Sequence, residues 1–192
     1  ARLDDDLWID FIADIGDDAG VSEGVADMLF RPYCLEEDGE ELLLPRGSIL
    51  LFGGDTAYPV ATQMEIHNRV SVPFNRVLRE RDDGRQRILL GIPGNHDWYD
   101  GLDGFARMFK ARRGEIGRAT RHTRPPEQGE IDATVDKGGQ IGHFIDWVEA
   151  FRVGDHVDKR PTLPLIGYTP VQSCSYFALK LAPQLDLWGV DR

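Results

Sequence analysis

Uniformly apolar runs mark two of the strands expected in this chain. Ile49, Leu50, Leu51 and Phe52 form one, and Ile88, Leu89 and Leu90 the other. A strand covered on both faces reads this way, as in a parallel sheet. Strands are expected over residues 7–13, 48–52, 88–92, 175–181 and 185–190, the 175–181 run alternating less cleanly and so lying nearer an edge. Amphipathic stretches fill the gaps. Residues 21–30 place Val21, Val25, Met28 and Leu29 on one side, and 144–151 place Phe144, Trp147, Val148 and Phe151 on one face. A helix is expected over 102–109, and another over 61–78 that Pro73 must break or kink. Residues 111–140 lack periodicity and are rich in Gly and Arg, which predicts a surface insertion. No internal repeat is present. Strand–helix–strand order predicts an α/β layer fold with right-handed crossovers, in one domain over residues 1–192.

Composition narrows this picture. A chain of 192 residues with 41% hydrophobic residues is long and apolar enough for a real core. No run of about 18 uncharged apolar residues occurs, and the first residues lack the basic-then-apolar pattern of a signal peptide. A cytoplasmic protein without a membrane segment is therefore expected. The formal net charge is −11, which makes the chain a poor general nucleic-acid binder, because phosphates repel it. The basic island at 107–124 reads as a solvated loop. Cys34 and Cys174 are too few and too far apart for a disulfide framework or a Cys-type zinc site. No G-x-S-x-G and no P-loop pattern occurs. The chain opens at Ala1 close to its first strand and stops just after an apolar run, so it is expected to be a piece of a longer protein, truncated at its C-terminal end.

Three expected strands end in unusual polar residues. The first runs into Ala13-Asp14-Ile15-Gly16-Asp17, the second into Gly53-Gly54-Asp55-Thr56-Ala57-Tyr58-Pro59, the third into Pro93-Gly94-Asn95-His96-Asp97. In a parallel sheet all three lie on the carboxyl edge, where α/β proteins hold ligands. Asp14, Asp55, Asn95 and His96 are thus expected to converge. Carboxylates and an amide oxygen suit Mg, Mn, Fe or Zn, and a Tyr oxygen suits ferric iron.

These residues resemble the calcineurin-like metallophosphoesterase superfamily. Gly94-Asn95-His96-Asp97 matches its GNHD motif and Gly54-Asp55 its GD motif. GDTAY is similar to the GDxxY of the purple acid phosphatase branch, and Asp14-Ile15-Gly16 shares that branch's Gly where most of the superfamily has Asp-x-His. IADIGDD, GGDTAYP and PGNHDWYDGL look like the DxGD, GGDxAYP and PGNHDWxDGL of large bacterial and plant metallophosphoesterases, as do SYFAL at 175–179 and WGVD at 188–191. The resemblance covers most of residues 7–110 and 170–192. It implies a layered α/β fold and two divalent or mixed-valence metal ions (Fe, Mn or Zn). It implies hydrolysis of a phosphate-ester substrate by attack of a metal-bound hydroxide. Asp14 would bind the first metal, Asp55 would bridge both and Asn95 would bind the second. His96 would protonate the leaving oxygen, and Asp97 would orient its imidazole. Two departures stand against this. Gly16 replaces a histidine ligand, and neither a later strand-end His nor GHxH is present.

Plainer readings sit beside these. Asp14 and Asp55 could serve turns, and Asp17 and Asp18 are expected to cap the helix beginning near Gly20. Tyr58 reads equally as ligand and as packing residue. Trp98 and Tyr99 are expected to pack beside the site. His143 reads as a surface or core histidine, and His67, His122 and His156 lack ligand-like spacing. The rival to an enzyme is a catalytically inactive phosphoesterase-like regulatory or binding module.

Overall fold

The structure, a computed structural model, describes residues 7–37, 39–111, 161–182 and 184–191. The expected helix at 144–151, the excursion at 111–140 beyond Ala111, and His122, His143 and His156 lie outside the described residues. In chain order the elements are β1 (Ile9–Ile12), α1 (Ala19–Leu29), β2 (Tyr33–Glu37), β3 (Glu40–Leu44), β4 (Ile49–Phe52), α2 (Gln63–Ile66), a π turn (His67–Ser71) and α3 (Val72–Glu80). Then follow β5 (Arg87–Gly91), α4 (Asn95–Trp98), α5 (Asp103–Phe109), β6 (Tyr168–Pro170), β7 (Phe177–Ala182) and β8 (Leu185–Gly189). All lie in the unit made by residues 3–111 and 162–192. None of the described helices is long and apolar enough to cross a membrane.

The uniformly apolar runs do form a parallel sheet, in the order β1-β4-β5-β6. Register brings Ile12 beside Phe52 and Phe52 beside Gly91, so the three motif-bearing strands end level. Both faces are covered. Leu50, Phe52 and Leu89 are fully buried in the core with Phe30, Phe74 and Phe109. Phe52 lies 6.0 Å from Phe74 and 5.2 Å from Phe109, ring centre to ring centre, the spacing at which aromatic pairs attract. On the other face Ile49, Leu51 and Leu90 meet Phe177, Leu179, Leu181 and Leu187 of β7 and β8. The molecule is α/β, with helices on one face of the sheet and an antiparallel hairpin on the other.

Several expectations need correction. The last two strands do not extend the parallel sheet; they pair with each other as that covering hairpin. Helical structure runs from Gln63 to Glu80 rather than over 61–78, and Pro73 marks an irregularity in it, with a π turn just before it. Pro73 has no N–H to offer a carbonyl one turn back. The chain takes up the mismatch in a π turn, where the Val72 N–H reaches five residues back to the His67 carbonyl. In α1 the inward face is Ser22, Ala26 and Phe30, not the Val21 and Met28 face, which is exposed. The small side chains at 22 and 26 let α1 lie against the neighbouring helix, and Phe30 fixes the rotation. The hairpin of β2 and β3 was not expected at all.

Candidate functional site

The sheet's register delivers the three motifs to one edge, and hydrogen bonds between their backbones lock them together. The Gly53 N–H donates to Ile12 O (2.7 Å), Asp14 N–H to Gly54 O (3.1 Å), Tyr58 N–H to Gly16 O (3.2 Å) and Ala61 N–H to His96 O (3.1 Å). Asp14 and Asp55 both sit in the left-handed region, at φ 54° and 49°. Few non-glycine residues adopt it, and strained backbone of this kind clusters at functional sites. Glycine serves close approach at two points. A Cβ on Gly94 would be driven into Asp55 Oδ1, and a Cβ on Gly16, at φ +76°, into the Thr56 carbonyl. No side chain fits at position 16, so the absent histidine is a property of this backbone.

Asp14 and Asp55 come together, and Tyr58, read equally as ligand and packing residue, joins them. The Tyr58 hydroxyl lies 3.1 Å from both Asp14 Oδ1 and Asp55 Oδ2, so one phenolic proton serves two carboxylates. Burial, then the hydrogen bonds to Asp14 and Asp55, push the phenol well above the usual tyrosine range. The other Asp55 oxygen accepts the His96 backbone N–H at 3.0 Å. Asn95, next in sequence, turns its amide nitrogen to the Tyr99 hydroxyl (3.1 Å), and its carbonyl oxygen is then that side chain's donor for a cation. This is a set of hard oxygen donors, which fits Mg, Mn or Fe better than an ion that prefers nitrogen or sulfur. Among the described residues no group of three or more His, Cys, Asp or Glu side chains converges. Asp14, Asp55 and Tyr58 are joined directly, and Asn95 is tied to them through the backbone of the next residue, His96, on Asp55.

His96 meets Asp55 through its backbone N–H, while its ring lies against Tyr58 and Tyr99, and Asp97 does not hold that ring. Imidazole Nδ1 meets the Pro59 carbonyl at 2.6 Å. A carbonyl only accepts, so the proton belongs on Nδ1 and Nε2 is the working nitrogen. Asp97 is buried completely. Its carboxylate accepts the N–H groups of Gly94 (2.8 Å) and Thr56 (3.3 Å), bracing the third motif against the second. Burial raises its pKa, and those donors oppose the rise.

Asp18, not Asp17, caps α1, accepting from Gly20 N–H (2.7 Å) and Val21 N–H (3.0 Å). The carbonyl of Asp17 instead accepts from Arg69 (2.6 Å), which projects from the π turn. Tyr99 lies beside His96 and Asn95, and it and Trp98 keep 62% and 39% of their surface exposed. The Trp98 indole N–H donates to Asp191 Oδ1 (3.3 Å), and Asp191 Oδ2 accepts from Ser175 (2.6 Å). Sequence alone assigns no role to Arg69, Pro59, Ser175 or Asp191. Three of them lie in quoted runs, Pro59 in GGDTAYP, Ser175 in SYFAL and Asp191 in WGVD; Arg69 has no signal.

No family model matches this chain, and no curated protein or solved structure matches it.

Proposed function

We propose that this chain carries the metal-dependent phosphoesterase site of a calcineurin-like fold, acting on a phosphate ester. The supporting observation is the meeting of Asp14, Asp55 and Tyr58 on the carboxyl edge, with the backbone of His96 on the free oxygen of Asp55. Asp14 and Asp55, with Tyr58 and the Asn95 carbonyl, would hold a hard cation. Bound there, such an ion offsets charge on a transferring phosphoryl group and acidifies water. The chain's own residues do the rest. Pro59 engages Nδ1–H and so aims Nε2 outward; in the imidazolium form Nε2–H would be the proton given to the leaving oxygen, which leaves the neutral Nδ1–H ring, and Asp97 keeps the motif loops in register. Calorimetric titration with manganese, beside turnover of a chromogenic phosphodiester, tests this. Manganese should bind, and Asp14→Asn or Asp55→Asn should remove both binding and turnover. Metal uptake indifferent to both substitutions would refute the site.

One observation favours a second reading, a non-catalytic module: the Tyr58 hydroxyl already satisfies both carboxylates and no described histidine side chain joins them. Metal binding through Asp14 and Asp55 without turnover would select it.

A further inference from the structure

His96 lies between two tyrosines. Its ring centre is 4.4 Å from that of Tyr58 and 5.0 Å from that of Tyr99, the latter edge-to-face. Tyr99 is 62% exposed, yet its hydroxyl is engaged by the Asn95 amide. Trp98 is 39% exposed, with its indole N–H on Asp191, which is held in turn by the buried Ser175. Both aromatic side chains are therefore tethered by their polar atoms, and Tyr99 presents ring carbon beside the imidazole. A flat group that received a proton from His96 would have the Tyr99 ring at hand, since that ring lies against the imidazole. Exposed aromatic rings held in one orientation stack flat partners at little cost in side-chain entropy.

We propose that Tyr99, with Trp98 beside it, is the platform for an aromatic ring on the leaving-group side of the substrate. The ligand class is a phosphate ester bearing a flat ring, nucleoside or aryl, in preference to an alkyl or sugar phosphate. This rests on the phosphoesterase reading for the identity of the phosphate. Tyr99 touches substrate; Asp191 and Ser175 are positioning residues that act through Trp98.

The 192-residue chain with manganese is titrated calorimetrically with adenosine 5′-monophosphate, phenyl phosphate and ribose 5-phosphate. The ring-bearing ligands should bind about tenfold more tightly than ribose 5-phosphate, the usual scale of base–aromatic stacking. Tyr99→Leu should abolish that preference, and Tyr99→Phe, which keeps the ring but frees Asn95, should retain it. A preference for the nucleotide alone supports the platform and assigns it to nucleosides. Equal affinity for all three, no binding of any, a preference that survives Tyr99→Leu, or one lost in Tyr99→Phe overturns it. Ring preference without metal-dependent turnover of any ester would remove the phosphoesterase reading and leave the platform. Metal-dependent turnover without ring preference would do the reverse.

Discussion

The two edges of the parallel sheet treat charge in opposite ways. At the amino edge the buried Arg87 guanidinium grips Asp83 with two nitrogens (2.8 and 2.6 Å) and donates Nε–H to Gly47 O (3.1 Å). Asp10 accepts the Gly47 N–H at 3.0 Å. Arg46 lies over the rings of Phe30 (4.7 Å) and Tyr168 (5.1 Å). Cations and anions there are matched. At the carboxyl edge, among the described residues, no ion pair reaches Asp14, Asp55 or Asp97. Two carboxylates share one phenolic proton, on backbone held at positive φ. Matched charge serves the fold. Unmatched charge on strained backbone costs stability, and it persists where binding something offsets it.

The largest effect expected is on turnover. His96→Ala should lower it by about 10²–10⁴, the usual worth of a positioned general acid. Manganese affinity should hardly change, because the His96 contact with Asp55 is made by backbone N–H. The loss should shrink for an aryl leaving group that needs no proton. An equal loss with good and poor leaving groups would assign His96 to something other than proton transfer.

Next come the glycines. Gly94→Ala puts a methyl into Asp55, and Gly16→His puts a side chain into the Thr56 carbonyl at positive φ. Each should cost at least about 1–3 kcal/mol, the range for overpacking, and Gly94→Ala should also weaken manganese binding. Gly84→Ala supplies the control away from this edge. Gly84 has φ +70° and open space around its missing Cβ, so it should lose only the left-handed penalty of about 1–2 kcal/mol. Urea unfolding ranks the three. Gly94→Ala milder than Gly84→Ala would mean that the motif loops yield easily.

Removing one charge from each edge should change stability in opposite directions. Asp14→Asn relieves like-charge repulsion yet keeps an oxygen for the Tyr58 hydroxyl, so the metal-free chain should gain about 0.5 kcal/mol. Asp83→Asn breaks the bidentate pair. Asp83 is 43% exposed, so solvent screening holds the loss to about 1 kcal/mol. Either shift is about 1–4 °C in melting temperature for a chain of this size, and salt should shrink both. Two losses, rather than a gain and a loss, would show that the Asp14 carboxylate is structurally useful without metal.

What could be read from sequence follows the same division. Ile49–Phe52 and Arg87–Gly91 revealed their sheet because strands buried on both faces cannot hide the pattern, and parallel order alone brought Asp14 and Asp55 to one edge. Features resting on small or main-chain groups left little trace. Ser22 and Ala26 turn α1 inward although Val21 and Met28 are more hydrophobic. The partner of His96 is a carbonyl, which any residue at 59 would supply. The hairpin of β2 and β3 sets Glu36 opposite Glu41 and Glu37 opposite Glu40. Like charges paired this way argue against a strand pair, which left the Asp38-Gly39 dipeptide and the short run Leu42–Leu44 as its signals.

The smallest effect, and the finest test of the contrast, is its pH dependence. Hydrogen bonding from Arg87 holds the Asp83 carboxyl well below the usual range, while in the unfolded chain an aspartate takes up a proton near pH 3.9. Arg87 stays charged throughout. As pH falls past about 4, the unfolded state binds the proton first, so the pair's contribution, complete above that pH, is lost as pH falls through the folded-state value. Asp97 runs the other way. Burial raises its pKa, so the folded state takes the proton first. Its contribution is present below about pH 4 and is lost as pH rises through the raised value. Urea unfolding between pH 3 and 7 should therefore show the Asp83→Asn deficit at its largest near neutrality and closing in acid, by about 1 kcal/mol at most. Asp97→Asn carries a constant cost for its altered hydrogen bonds to Gly94 and Thr56, so the slope is what is read. Relative to the unsubstituted chain its deficit should be larger in acid and smaller at neutrality. A gap between Asp83→Asn and the unsubstituted chain that stays constant across the range would mean that Arg87 holds the amino edge through Gly47 and packing, with no share from the charge on Asp83.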